Sequence, residues 1–232
     1  MIGTLQTNAS GGLNVWIHPI EGHTYTIGVD TSAGIRGGDN SAAEVVDVET
    51  CEQVAEWHGL YAPTLWGYSC SRLGAYYNMA WLAFETHPSP HGLTAHLAAE
   101  RYQYPKLWIQ ERLNVIDGGI ERRKGWRRAA NDTQQLLNRA RDSLREGCPI
   151  HSSRLISELM AIQIQDGELE SAQHDDCVIA YSIALSVRDA CYQRGLVDKK
   201  PLEALDLSDL YWREKKKGRQ PLSEEHAYDG SY

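Results

Sequence analysis

The chain contains 232 residues, of which 42% are hydrophobic and 23% are charged, a composition typical of a folded globular protein. Its longest apolar run, Met79–Phe84, is far shorter than the roughly 20 residues that cross a bilayer, and no signal peptide is visible. The five cysteines are odd in number and lack CxxC spacing. This argues against a zinc ribbon or a disulfide framework and fits a reducing compartment. No GxxxxGKS/T motif occurs, so the chain alone is not a P-loop NTPase.

The first half of the sequence predicts a sheet. Strands are predicted over residues 24–30, 42–48 and 51–57, and their short connections indicate an antiparallel meander. A helix is predicted over 63–77. The apolar run 78–85 predicts a strand that is buried on both faces and ends at Glu85.

The second half alternates helices with shorter strands. Helices are predicted over 90–101, 133–146 and 175–194, with a strand over 106–110, and with short strands and a helix near 153–160 inside the ambiguous segment 148–170. Pro and Lys residues mark a polar tail from residue 199. The predicted organisation is a lead over 1–19, one folded domain over 20–198 and a tail over 199–232.

The formal net charge of −8 is unevenly distributed. Residues 101–145 carry eleven basic and five acidic side chains, whereas residues 1–100 carry two basic and ten acidic ones. The basic segment contains a tryptophan, as a surface that grips a nucleic-acid backbone would; a solvated loop and helix start is an equal alternative. The candidate contacts with DNA are Arg122, Arg123, Lys124, Trp126, Arg127 and Arg128.

Carboxylates stand at the ends of three predicted core elements: Asp30, Glu85 and the pair Asp175-Asp176. Carboxylates that converge at ~4 Å repel each other by about 4 kcal/mol per pair at an effective dielectric near 20, so such a cluster needs a cation or shared protons. Oxygen ligands favour Mg²⁺ or Mn²⁺. Taken singly, Asp30 also suits an Asx turn, Glu85 a surface acid, and Asp175-Asp176 the first turn of a helix.

Several segments together resemble the nuclease domain of the large terminase subunit of tailed phages, a branch of the RNase H-like superfamily. The resemblance spans roughly residues 12–195. It implies an α/β fold with an RNase H-like mixed sheet, in which an antiparallel three-strand meander is joined by parallel strands and flanked by helices. The segments that carry it are 25–30, 38–42, 54–59, 77–85, 125–126 with 133–137, 158–159 and 174–180.

The resemblance also implies the chemistry. Asp30, Glu85 and Asp176 would hold two Mg²⁺ or Mn²⁺ ions, with Asp175 as a shared or supporting ligand and Asp39 as an auxiliary one. His174 would support the ligand residues or cap the helix, without being a metal ligand itself. The reaction would be hydrolysis of concatemeric viral double-stranded DNA by two-metal-ion catalysis, leaving 5′-phosphate and 3′-hydroxyl ends.

In that family an ATPase domain normally precedes the nuclease, so this sequence is interpreted as the nuclease domain alone. The implied partners are the ATPase domain, the small terminase subunit and the portal protein, in the cytoplasm of the host cell. Other interpretations stay open. They are a Holliday-junction resolvase or RNase H, a catalytically silent DNA-binding or portal-docking module, and an actin-like phosphotransferase suggested by the glycine-bearing segment 28–34.

Overall fold

A computed structural model describes residues 11–88, 90–113, 118–128, 132–165, 168–170 and 175–196. The strands are β1 Leu13–Val15, β2 Tyr25–Asp30, β3 Ser41–Asp47, β4 Gln53–Gly59, β5 Trp81–His87, β6 Ile109–Leu113, β7 Ile120–Lys124, β8 Trp126–Arg127, β9 Gln163–Gln165 and β10 Glu168–Glu170. The helices are α1 Pro63–Tyr76, α2 Pro90–Arg101, α3 Asp132–Arg145, α4 Ser153–Met160 and α5 Asp176–Gln193.

The main sheet has six strands in the order β1-β4-β3-β2-β5-β8. Strands β2, β3 and β4 form the predicted antiparallel meander, and β5 pairs with β2 in parallel. This mixed sheet with flanking helices confirms the predicted fold class.

Successive side chains of a strand point to opposite faces of the sheet. Helices pack against the side chains on each of the two faces. On one face, Ile27, Val29 and Phe84 join a core cluster with Trp66 of α1 and Ala95 of α2. On the other face, small side chains admit α5, whose Ile179 and Ile183 pack with Ala83 of β5. The central strands are therefore buried on both faces, as the apolar run in β5 predicted.

Three of the predicted elements need correction. Strand β5 continues past Glu85 to His87, so Glu85 lies two residues inside the strand end. The strand predicted over 106–110 is displaced to β6, in a separate two-stranded sheet with β7. For the basic run, residues 122–128, a loop and helix start was one of the two predicted alternatives; most of it instead forms β7 and β8.

The predicted lead contributes to the sheet. Within residues 1–19, Leu13–Val15 form β1, which pairs antiparallel with β4 at the sheet edge. The predicted tail, 199–232, lies outside the described residues. None of the helices in the described part of the chain is long and apolar enough to cross a membrane.

A disulfide joins Cys51 and Cys148, which are 97 residues apart in the sequence. The expectation from cysteine spacing was wrong for this pair, since the fold brings the β3–β4 turn next to the segment that follows α3. Spacing along the chain carries no signal for a bond that depends on tertiary packing. Cys70, Cys177 and Cys191 are buried thiols.

Candidate functional site

The parallel pairing of β2 with β5 brings Asp30 next to Glu85. The strands run in register through Val29 and Phe84, and the next residue of each strand is an acid. Neighbouring strands lie ~4.8 Å apart, and residues in register point to the same face. Register alone therefore places the two carboxyl groups side by side, as the sequence predicted.

Alternation along β2 aims Asp30 at α5. Thr26 donates a hydrogen bond to the Ala184 carbonyl of α5 at 3.0 Å. Two residues along, a Cβ atom on Gly28 would lie 2.0 Å from the Ala180 carbonyl oxygen, so only glycine allows this approach of strand and helix. Two residues further along the same face, Asp30 faces the next turn of α5, which is its first turn and contains Asp176.

The start of α5 is capped by a residue from another helix. Asp175 is the N-cap residue but makes no side-chain capping hydrogen bond. Instead, the Glu158 carboxylate of α4 accepts from the backbone N–H groups of Cys177 and Val178 at 2.9 and 3.0 Å. Glu158 thereby accepts from two N–H groups in the first turn of α5. No sequence signal beyond the resemblance marked Glu158.

Electrostatics link the four acids. Burial, followed by the charges of Glu85, Asp176 and Asp175, raises the pKa of Asp30 well above its usual range. The repulsion that the sequence predicted among carboxylates at the three element ends is therefore present between these groups. The choice between Asp176 and Asp175 as the metal ligand stays a prediction.

Glu85 has one cationic partner within the cluster. Its side chain is 3% exposed, and its Oε1 atom lies 2.6 Å from Nε of Arg128. Burial raises the pKa of Glu85 to about 7; the Arg128 charge and hydrogen bonds with Arg128 and Asp30 lower it, and Asp175 raises it. In the absence of metal, the Arg128 charge and a raised pKa therefore both reduce the cost of burying Glu85.

Strand β8 explains how Arg128 reaches the cluster. Trp126 pairs with Glu85 in parallel, next to Gly125, where a Cβ atom would lie 2.4 Å from the Phe84 carbonyl oxygen. Beyond β8, the backbone N–H of Arg128 donates to the His87 carbonyl at 3.3 Å. The end of the basic run is thus attached to β5 beside the acids.

Three cations of the basic run lie on the β6–β7 hairpin, and each of them has an acidic neighbour. Arg122 pairs with Glu111 at 3.0 Å, Arg123 with Glu121 at 2.5 Å, and Lys124 with Glu100 at 2.6 Å. Trp126 is half-buried and packs against the cluster on α3 and α5, while the Arg127 backbone N–H donates to Gln110. Contact of these residues with DNA stays a prediction.

Two other predicted site residues are Asp39 and His174. Asp39 is exposed in the loop between β2 and β3, three residues before Ala42, the register partner of Asp30. His174 lies outside the described residues. An auxiliary role for Asp39 and a supporting role for His174 stay predictions.

The donor set fits a hard divalent cation. It consists of carboxylate oxygens, and burial together with the charges of the neighbouring acids raises the pKa of Asp30. Entry of a cation would relieve that repulsion and ionise the acids. Asp30, Glu85 and Asp176, with Asp175 beside them, are the residues that would hold it.

A second pair of acids went unnoticed in the sequence. Glu44 and Glu56 are register partners in β3 and β4, and both are buried on the α5 face. Burial, and then the Glu56 charge, raise the pKa of Glu44 well above its usual range. Gln53 donates to Glu44 at 2.6 Å, and Glu56 accepts from Ser152 and pairs with Arg154. Glutamates inside a strand pattern carry no sign that they are buried.

Comparisons with known proteins support the fold. No family model and no curated protein matches the chain. The large terminase nuclease of thermophilic phage G20c with bound magnesium has a TM-score of 0.58 at 15% identity, covering 77% of this chain and 89% of that one. The large terminase nuclease domain of Thermus phage P74-26 has a TM-score of 0.56 at 17% identity, covering 78% and 88%. The chain has the fold of a large-terminase nuclease domain.

The terminase nuclease fold is the RNase H-like arrangement that the resemblance implied. Other structures of the G20c nuclease contain bound cobalt or zinc. At 14–18% identity, the similarity establishes the fold, and the chemistry of this chain has to be argued from its own acids.

Proposed function

We propose that this chain is a metal-dependent endonuclease that cuts concatemeric double-stranded phage DNA during genome packaging, by two-metal-ion hydrolysis. The observation that carries the proposal is the meeting of Asp30 and Glu85 with the Asp175-Asp176 pair at one end of the sheet, where burial and the charges of the other three acids raise the pKa of Asp30. Such a cluster is costly in a metal-free protein and becomes favourable when it binds hard cations.

The chain's own residues position the reaction. Asp30, Glu85 and Asp176 are the proposed ligands, with Asp175 shared between them, and two divalent cations bound there would supply the Lewis-acid chemistry for attack of water on a phosphodiester. Asp39 would orient groups from the open side of the site. Magnesium, cobalt and zinc in the structurally similar nucleases support divalent cations as a class.

The proposed substrate is duplex DNA held through its backbone. The hairpin cations Arg122, Arg123 and Lys124 lie on the segment that leads into β8 and the acid cluster. Phosphate contacts carry no sequence information, so this surface would position DNA with little sequence preference. The proposed partners are a terminase ATPase domain, a small terminase subunit and a portal protein, in the host cytoplasm.

A plasmid-nicking assay with Mn²⁺, Mg²⁺ or EDTA tests the proposal. Wild-type protein should nick plasmid only with metal, and Asp30→Asn should lose at least about a thousandfold in rate. Glu146→Gln is the matched control, since it removes one acid from an exposed position at the end of α3. Thermal unfolding with and without Mn²⁺ accompanies the assay.

Each outcome of the assay has a distinct meaning. A folded wild-type protein that neither nicks DNA nor gains thermal stability from metal would refute the proposal. Metal-induced stability without nicking would indicate a silent docking module. Faster cleavage of RNA–DNA hybrids or of four-way junctions than of duplex would replace the packaging substrate with that of an RNase H or a resolvase.

A further inference from the structure

Arg128 differs from the other cations of the basic run in its surroundings. Its backbone is attached to β5 by two hydrogen bonds with His87, in which the Arg128 N–H donates at 3.3 Å and the His87 ring Nδ1 donates to the Arg128 carbonyl at 2.9 Å. Its side chain turns into the acid cluster, whereas Arg122 and Lys124 extend over the hairpin surface. The position of Arg128 beside Glu85 is therefore built into the sheet.

The ion pair with Glu85 is asymmetric. The Glu85 side chain is 3% exposed and belongs to a central strand, whereas the Arg128 side chain is 20% exposed and follows a two-residue strand. Glu85 cannot leave without disrupting β5, but the guanidinium can swing toward solvent on its flexible stem. If the pair separates, Arg128 is the partner that moves.

The same pair competes with metal binding. Arg128 lies against Glu85 Oε1 at 2.6 Å, so that oxygen has a cationic partner before any metal enters. Hard cations take oxygen ligands, and a positive charge at this distance also opposes the approach of a second one. A divalent cation that takes Glu85 Oε1 as a ligand must displace the guanidinium from it.

We propose that Arg128 is an exchangeable counter-ion: it neutralises Glu85 in the metal-free protein, yields Glu85 to an entering divalent cation, and then binds a phosphate of the DNA. The inference rests on the proposed function for the identity of the cation and of the DNA. A guanidinium fits phosphate oxygens in a two-pronged geometry, and one released here would lie beside the reacting phosphate. Arg128 is a positioning residue in this scheme.

The exchange couples the two ligands. With Arg128 on Glu85, metal and phosphate are both disfavoured; once the guanidinium has moved, both are favoured. Linkage then requires metal to tighten DNA binding and DNA to tighten metal binding by the same factor. Arg128 would keep Glu85 neutralised until both metal and DNA are present.

The first experiment measures Mn²⁺ affinity calorimetrically in the absence of DNA. Arg128→Ala should bind Mn²⁺ about tenfold more tightly than wild type, and Arg128→Lys, which keeps the charge, should stay near wild type. Arg72→Ala is the control because it removes an exposed arginine from α1, on the opposite face of the sheet. If Arg128→Ala does not fold, Arg128→Gln replaces it.

The second experiment measures binding of a fluorescent DNA duplex by anisotropy, in EDTA and with Ca²⁺. Ca²⁺ should tighten binding by wild type several-fold, and most of that gain should be lost in Arg128→Ala. Mn²⁺ affinity that is unchanged or weaker in Arg128→Ala would overturn the inference and leave the proposed nuclease intact. Failure of wild type to bind Mn²⁺ at all would instead refute the metal site on which the proposed function depends.

Discussion

Two carboxylate pairs cross neighbouring strands on the same face of this sheet, and they have different surroundings. Glu44 and Glu56 lie in the middle of β3 and β4, fully buried, with Gln53, Ser152 and Arg154 as partners. Asp30 and Glu85 lie toward the ends of β2 and β5, where burial and neighbouring acids raise the pKa of Asp30, and burial raises that of Glu85 although Arg128 lies beside it.

The difference shows that close acids alone do not define a catalytic site. The Glu44 and Glu56 oxygens and the Cys177 sulfur lie within 4.8 Å of one another, a spacing that could hold a metal. Hydrogen bonds from Gln53 and Ser152 and the pairing with Arg154 already compensate these acids, however. At the strand ends, four acids meet, and burial with the charges of the other three raises the pKa of Asp30. The inner pair, Glu44 and Glu56, is structural, and the outer pair, Asp30 and Glu85, is the proposed catalytic one.

Substitutions of glutamate by uncharged glutamine should give the largest difference in effect between the two pairs. Glu85→Gln should lower the Mn²⁺-dependent nicking rate by about a thousandfold with little loss of stability, because it removes a proposed metal ligand. Glu56→Gln should keep the specific activity of the folded protein and lower the free energy of unfolding by about 2 kcal/mol, because it weakens the pairing with Arg154. Nicking assays and urea denaturation measure the two effects; full activity in Glu85→Gln would contradict the assignment.

The arginine partners offer a second contrast. Arg154→Ala should cost about 2 kcal/mol of unfolding free energy, since it leaves Glu56 buried without its cation. Arg128→Ala should also destabilise the protein in EDTA, because Glu85 loses its partner. Only the Arg128 variant should recover when Mn²⁺ is added, as measured by denaturation in both buffers. Equal recovery of the two variants would mean that the inner pair binds metal as well.

The sequence predicted the outer pair and missed the inner one for a physical reason. Asp30 and Glu85 follow apolar, strand-forming runs, so an acid at that place is visible as an interruption. Glu44 and Glu56 have the alternation of an ordinary half-exposed strand, and their burial comes from α5, which is more than a hundred residues away in the sequence.

The role of Arg128 was hidden for a related reason. Five cations in eight residues predict a solvent-facing surface, and a two-residue strand such as β8 has no recognisable pattern. The order of the main elements, by contrast, followed from periodicity and turn residues, and α2 and α4 have the predicted bounds. Local patterns therefore predicted the frame, whereas contacts across long sequence separations required the structure.

The pH dependence sharpens the assignment of Glu85. Its pKa is about 7 in the folded protein and has an ordinary value of 4.5, so the folded state binds more protons between these values. The metal-free protein should therefore lose stability as the pH rises through that window. Because metal requires the ionised acid, the rise in melting temperature with Mn²⁺ should be larger near about pH 8 than near about pH 5.5.

Thermal unfolding at both pH values measures this effect, and Glu85→Gln serves as the control because it cannot titrate. In that variant, the part of the pH dependence that comes from Glu85 should disappear. A Mn²⁺ effect of the same size at both pH values in wild type would show that Glu85 is not among the ligands.

The smallest expected effect concerns the hairpin. Arg122 is 74% exposed and its pair with Glu111 lies at the surface, so its charge is available to DNA at little cost. Arg122→Ala should weaken duplex binding a few-fold and reduce the slope of log affinity against log salt by about 1. Arg72→Ala on the far face should change neither; an unchanged slope in Arg122→Ala would remove the hairpin from the DNA surface.

The close packing of β2 against α5 makes the site intolerant of changes in chain length. Thr26, Gly28 and Asp30 face α5, whereas Tyr25, Ile27 and Val29 face α1 and α2. Inserting or deleting one residue within the strand would exchange the two sets and turn the aspartate into the apolar layer. The exposed segment 35–38 of the following loop has no such restriction, so length variation among related chains should accumulate there, a few residues after the residue that tolerates none.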